Sequence, residues 1–287
     1  METVRLTLCM IVKNEAHNLA RCLDSASHLA GEIVVVDTGS TDATPQIAAS
    51  YGARVVPFDF TRVDFAAARN HSLEQATGEW ILVLDADEAL EAGGELTVKS
   101  IIESRENAGF FLERHNYASG IPAFKTDHVV RLFPNRPAYR YHGRVHETVD
   151  ASILKGGGKL IESQIQISHR FIPDRETRRR KNLSYIEILK EEIAAHPEDL
   201  SRLDFLAAEY HQLEMYTEAT EIAERLAQLR PDDARAHLFA GTYHLLFKPD
   251  FPQATLDFLH ALSLQPNYPE AEFFLRMLAE TSVPTSN

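Results

Sequence analysis

Cysteine is nearly missing from this chain. Cys9 and Cys22 are the two among 287 residues, both inside apolar stretches. That excludes a disulfide scaffold and a cysteine-rich zinc site, and it fits a reducing compartment. Long hydrophobic runs are missing too. Runs such as Ile33 to Val36 and Ile81 to Leu84 are four residues long, and none approaches the roughly 18 needed to cross a bilayer. No basic segment leads into an apolar one after Met1, so no signal peptide is read. These absences predict a cytoplasmic protein with at most peripheral contact at an inner membrane face. Positive charge is in deficit: 29 Lys and Arg stand against 42 Asp and Glu, a net of −13. Long-range fields then disfavour nucleic acid and anionic membrane as bulk partners, so an anionic substrate needs local donors or a metal ion. Glycine is sparse, at 13 residues, and neither G-x-G-x-x-G nor G-x-x-x-x-G-K-[ST] occurs. A dinucleotide fingerprint and a P-loop are therefore excluded.

What is present is a globular balance of 44% apolar and 25% charged residues, enough for a real core in one large domain or two ordinary ones. Strand-like and helical phrases alternate from the start. Leu6 to Val12, Ile33 to Val36, Val55 to Phe58 and Trp80 to Leu84 read as buried strands. Between them lie helical patterns: Leu19, Leu23 and Ala26 with Gly31 as a stop, Thr44 to Tyr51, and Asp64 to Ala76. Such crossovers predict a Rossmann-like α/β domain with a mixed, mainly parallel sheet. Ligands of such sheets lie beyond the carboxyl ends of the strands, which here carry Lys13-Asn14-Glu15, Asp37-Thr38-Gly39-Ser40 and Asp85-Ala86-Asp87-Glu88. After residue 108 the pattern becomes more antiparallel, with strands expected at Phe110 to Arg114, at Val129 to Phe133 and around Ile161, Ile165 and Ile167. The predicted domain runs from 1 to 172.

From 173 to 287 strand signals vanish and a repeat appears. Proline closes similar phrases at Pro197, Pro231 and Pro266, spaced 34 and 35 apart, while Tyr210 matches Tyr243 and Ala208 matches Gly241. This half resembles tetratricopeptide repeats, pairs of antiparallel helices with small residues at close approaches. It holds 20 acids and 12 bases, against which the run Arg175, Arg178, Arg179, Arg180 and Lys181 stands out. That run reads as a solvated helix face or as a patch that guides an anionic acceptor.

The strongest local signal is Trp80-Ile-Leu-Val-Leu-Asp85-Ala-Asp87-Glu88. A buried strand delivers two carboxylates at i and i+2 to its carboxyl end, where both can reach one hard cation that bridges to phosphates. Two carboxylates so close cannot easily straddle a glycosidic bond, which disfavours a glycoside hydrolase.

With Leu6 to Glu15, Glu32 to Asp42 and Ala68-Arg69-Asn70, this segment resembles family 2 glycosyltransferases. Order and spacing of the four blocks agree over about 90 residues, and more loosely beyond. The resemblance implies the GT-A fold, an inverting mechanism, a Mn²⁺ or Mg²⁺ cofactor and a nucleotide-sugar donor, a UDP-sugar first and a dTDP-sugar second. It implies that Val12, Asn14 and Glu15 line the base pocket and that Asp37 accepts from the base imide. Arg69 would meet the diphosphate or brace Asp85, which would lie near ribose and metal. Asp87 would hold the metal, and His169, at a strand end, would supply a further ligand. A family 2 domain followed by such helices also resembles a bacterial subgroup that glycosylates cell-envelope glycans and some peptides.

Inverting transfer needs one general base opposite the diphosphate. Tyr141-His-Gly-Arg-Val-His-Glu147 carries the candidate, Glu147, with Glu88 as the alternative; an extended chain would put Glu147 and His146 on opposite faces. His146, Arg144 and Arg131 are candidate diphosphate or acceptor contacts. The acceptor is expected to be a glycan, a glycolipid or a protein, with the repeats holding it, a partner protein or a second subunit. Two rival readings are an interaction scaffold with an inactive nucleotide-sugar-binding domain and a nucleotidyltransferase. The latter lacks a glycine-rich, basic triphosphate loop near residue 13.

Overall fold

The computed structural model describes residues 5–117, 124–170 and 175–281. The chain divides into two compact units, Met1–Pro173 and Asp174–Asn287. The expected domain boundary at 172/173 lies outside the described residues. Among those residues no helix is long and apolar enough to cross a membrane.

The first unit opens with β1 (Leu6–Val12), α1 (Leu19–Ala26), β2 (Glu32–Asp37), α2 (Thr44–Ser50), β3 (Arg54–Pro57), α3 (Phe65–Gln75) and β4 (Trp80–Val83). It continues with β5 (Glu88–Leu90), α4 (Gly94–Ser104), β6 (Ala108–Tyr117), β7 (Phe124–Pro134), α5 (Asp150–Lys155) and β8 (Lys159–His169). The strands form one mixed sheet in the order β3-β2-β1-β4-β7-β6-β8-β5. The β1, β2, β3 and β4 pairings are parallel, and β7 adds antiparallel to β4.

Period-two side-chain alternation explains why short apolar runs suffice here. Leu6, Leu8, Met10 and Val12 of β1 join Trp80 and Leu82 of β4 in one core with α1. Cys9, Ile81 and Val83 face a second core with Ala66 and Leu73 of α3. Helix α3 starts where the sequence predicts, because Asp64 caps it by accepting from the Ala67 N–H at 2.8 Å. The chain lays β2 and β3 on one side of β1 and β4 on the other. That reversal opens a crevice beyond the carboxyl ends of β1 and β4.

Two elements differ from expectation. β8 runs parallel to β6 rather than antiparallel, because α5 carries the chain across between β7 and β8. β5, three residues long, pairs antiparallel with β8, placing Glu88 opposite His169.

The second unit consists of α6 (Arg175–Ala195), α7 (Ser201–Gln212), α8 (Tyr216–Leu229), α9 (Ala234–Leu246), α10 (Phe251–Leu264) and α11 (Pro269–Thr281). Pro197, Pro231 and Pro266 each follow a helix end by two residues, as the repeat requires. Gly241 packs so closely on Phe258 that a Cβ there would lie 2.8 Å from the ring. Its repeat counterpart Ala208 is exposed, and the neighbouring Ala207 takes the buried position instead.

A glycine also sets how β4 enters the sheet. A Cβ on Gly78 would lie 2.5 Å from the Thr7 hydroxyl and 2.8 Å from the Arg5 carbonyl oxygen, which is backbone and cannot swing away. Gly78→Ala is expected to cost about 1–3 kcal/mol by overpacking. Urea unfolding followed by the single tryptophan, Trp80, buried in β4, measures it; a loss below about 0.5 kcal/mol would contradict the close approach.

Candidate active site

The loops after β1 and β2 are stitched together at the crevice. Asn14, with a left-handed φ of 57°, donates its N–H to Ser40 Oγ at 2.9 Å, and its Oδ1 accepts from the Thr41 N–H at 2.7 Å. The Glu15 N–H donates to Thr44 Oγ1, and the Ala16 N–H to Asp42. Asp42 also accepts from the Thr44 N–H, so it organises the entry to α2. Asp37, paired in register with Val12, accepts from the Ser40 N–H at 3.1 and 3.3 Å. Burial pushes the Glu15 carboxyl up, and the charges of Asp87 and Asp85 add to that shift.

Beyond β4 the chain turns tightly. Glu88 N–H donates to the Asp85 carbonyl oxygen, and the Asp85 N–H donates to Glu88 Oε2, each at 2.9 Å. Asp85 is then gripped from two sides. Arg69 Nη2 donates to its Oδ1 at 2.8 Å, and Arg131 Nη2 to its Oδ2 at 2.6 Å. Arg69 Nε reaches Glu147 Oε1 at 2.6 Å, while Arg131 Nη2 also donates to Glu88 Oε1 at 2.9 Å. Arg114 contacts the same Glu88 oxygen at 3.3 Å and forks onto Asp127. The result alternates in sign from Glu147 through Arg69, Asp85, Arg131, Glu88 and Arg114 to Asp127.

Asp87 leaves this network. Its carbonyl oxygen accepts from the Arg170 N–H and from Arg21, and its Oδ2 lies 3.2 Å from His169 Nε2. Asn116 faces His169 Nδ1 with its amide oxygen at 2.7 Å, its Nδ2 being committed to the Lys125 carbonyl oxygen. An amide oxygen only accepts, so Nδ1 carries the proton and Nε2 is turned to Asp87.

Residues 7–117 match the family model described as Glycosyl transferase family 2. The glycosyltransferase SunS of Bacillus subtilis prophage SPbeta is 25% identical over 78% of this chain and 53% of its own length. A TPR repeat-containing protein of Synechococcus elongatus is 42% identical over 52% of this chain and 36% of its own length. The chain thus spans about half, or less, of these relatives. Staphylococcus aureus TarS 1–349, solved with UDP, superposes with a TM-score of 0.47 at 13% identity, covering 96% of this chain and 90% of that one. Residues 7–117 of the first unit thus match a family 2 glycosyltransferase domain. The mixed α/β sheet and the helices that follow agree with the GT-A and tetratricopeptide-like readings of the sequence.

Three expectations change within the first unit. Arg131, expected on the acceptor side, is buried and committed to Asp85 and Glu88. Glu88, the alternative base, is wholly buried, with both oxygens engaged, so no acceptor hydroxyl meets it. The segment Tyr141 to Glu147 is no extended strand. Backbone bonds between His142 and Thr148 close it into a loop, with Gly143 and His146 at φ 97° and 50°. Strand alternation therefore does not apply, and the loop aims Glu147 at Arg69. Asn70 holds this loop by pairing with both backbone polar groups of Tyr141. Burial, partly offset by Arg69 and Arg131, pushes the Tyr141 hydroxyl up to about 12. Arg144 Nε donates to the Val63 carbonyl oxygen, bracing the entry to α3.

Sequence reasoning missed Arg114, Asn116 and Arg21, whose partners lie on other strands or helices. Burial by itself would raise the Asp85 carboxyl. Arg131 and then Arg69 outweigh it and hold that carboxyl far below the usual carboxylate range. A depressed carboxyl stabilises the fold fully above about pH 5, and the gain is lost below the unfolded value of about 3.9. Arg131→Met strands Asp85 and Glu88, and is expected to cost about 3–5 kcal/mol at neutral pH and to flatten the acid dependence. Trp80 fluorescence in urea at several pH values measures both; a loss under about 1 kcal/mol would remove the network from the domain's stability.

Proposed function

We propose that this chain is a metal-dependent, inverting glycosyltransferase that moves a hexose from a nucleotide-sugar, a UDP-sugar first, to a glycan, glycolipid or protein acceptor. The observation that carries the reading is the convergence of Asp87 and His169 beside the crevice, 82 residues apart in sequence.

Among the described residues no set of three or more His, Cys, Asp or Glu side chains comes together as a metal cage. One carboxylate and one imidazole nevertheless fit Mn²⁺ or Mg²⁺, because such ions keep several positions for water and substrate phosphates. The Asn116 contact supports this fit by orienting the imidazole, as outer hydrogen bonds do for metal-ligating histidines. A bound cation would offset the charge that grows on the diphosphate as it leaves.

The chain's own residues divide the remaining work. The stitched loops around Val12, Asn14, Glu15 and Asp37 receive the nucleotide base. Asp85, held by Arg69 and Arg131, lines the donor side near the ribose. Arg69 keeps one donor, the buried Nη1, that no described residue uses. Glu147 accepts the proton of the acceptor hydroxyl through Oε2, while Arg69 holds Oε1 and fixes the carboxylate's direction.

UDP release from a panel of UDP-sugars with Mn²⁺ tests the assignment. Asp87→Ala is expected to lower turnover about 10²–10³-fold. Glu147→Gln should lower it about 10²–10⁴-fold while donor affinity stays within about threefold. Wild-type turnover in Asp87→Ala would end the metal assignment, and wild-type turnover in Glu147→Gln would move the base elsewhere.

A further inference from the structure

The basic run that opens α6 does not act as one patch. Arg175, Arg178 and Arg179 stand at i, i+3 and i+4, with Asn182 at i+7, and all four line a cavity of about 580 Å³. Its remaining lining residues are Gln212, Leu213 and Glu214, at the end of α7 and in the turn to α8. Every one of these residues belongs to the second unit. Arg180 and Lys181 lie outside the lining. Arg180 reaches back to the Thr177 hydroxyl, and the Lys181 ammonium lies 5.3 Å from the centre of the Tyr185 ring.

The cavity is built on fixed backbone. Asn182, 5% exposed, donates from Nδ2 to Gln212 Oε1 at 3.2 Å, which ties α6 to the end of α7. The turn holds Glu214 at φ 59°, with its N–H on the His211 carbonyl oxygen and the Met215 N–H on that of Tyr210.

Charge is left over at this place. None of the three lining guanidiniums pairs with a carboxylate among the described residues. Like charges at i, i+3 and i+4 repel one another and weaken a helix. With Glu214 as the one lining carboxylate among the described residues, three arginines leave an excess of two positive charges there, in a half of the chain that is otherwise acidic.

Three guanidinium forks on one helix face offer more donors than the two oxygens of a carboxylate can use. A phosphate monoester or a diphosphate presents at least three acceptor oxygens and about two negative charges, which matches both the donor number and the excess. The volume lies within the roughly 300–1,000 Å³ of small-molecule sites, leaving room for the group that bears the phosphate. We infer that this cavity binds the dianionic phosphate of a monoester or diphosphate ligand. The inference is independent of the donor reading of the first unit.

Calorimetric titration of the full chain with inorganic pyrophosphate, in EDTA and low salt, tests it. Saturable binding is expected, weakened about tenfold or more in Arg178→Gln/Arg179→Gln and less than about twofold in Arg180→Gln/Lys181→Gln, which removes equal charge outside the cavity. Asp87→Ala should leave it unchanged, which separates this cavity from the donor site. Flotation with phosphatidic acid in phosphatidylcholine vesicles is the second arm. Vesicle binding that Arg178→Gln/Arg179→Gln abolishes identifies a lipid phosphate as the source, and pyrophosphate binding alone identifies a soluble phosphoester. Circular dichroism melting checks that each variant folds. Binding of neither probe would overturn the inference, and so would equal weakening in the two double variants.

Discussion

Asp85 held between two buried arginines is the constraint that orders the first unit. Arg69 is 6% exposed and Arg131 is 7% exposed, and charges so far from water are tolerated only when every partner is in place. The partners come from α3, the turn after β4, β5, β6, β7 and the loop before α5. α3 must present Arg69 to both Asp85 and Glu147. β7 must pair with β4 in the register that sets Leu132 opposite Leu82 and brings Arg131 beside the turn. A slip of one residue would send Arg131 to the other face of the sheet.

The same constraint divides labour within the D-x-D segment. Asp85 and Asp87 look equivalent in sequence, two carboxylates at i and i+2. The structure commits both oxygens of Asp85 to arginines and turns Asp87 to a histidine. The tight turn that Glu88 closes produces this split, because it points successive side chains toward different strands. A short irregular turn thus achieves what a longer strand could not.

Much of the first unit was legible because the signals were local. The apolar runs of β1, β2 and β4, the start of α3 near Asp64 and the polar strand ends needed only neighbouring residues to be read. β5 was not legible: it has three residues, and its partner β8 lies about eighty residues on. Arg131 read as a diphosphate or acceptor contact because its partners depend on strand register. Glu147 was found, but its surroundings were not, since Gly143 and His146 bend the segment out of strand geometry. Asn116 carried no signal at all, and its importance lies in one hydrogen bond to His169. In the second unit the proline spacing showed the repeat, while the partition of the basic run waited on knowing which helix face met the turn after α7.

The two proposed sites would bind an anion to an acidic protein by opposite means. In the first, the buried arginines are almost spent on Asp85, Glu88, Asp127 and Glu147, so they project little net positive field. Under the proposed function a diphosphate there needs an added cation, which Asp87 and His169 would hold. In the second, the three lining guanidiniums have no carboxylate ion pair among the described residues, so the inferred anion would need no metal. The distinction follows from counting partners rather than charges. An arginine that already has its carboxylate is scaffolding, and one that lacks it keeps its donors for another anion.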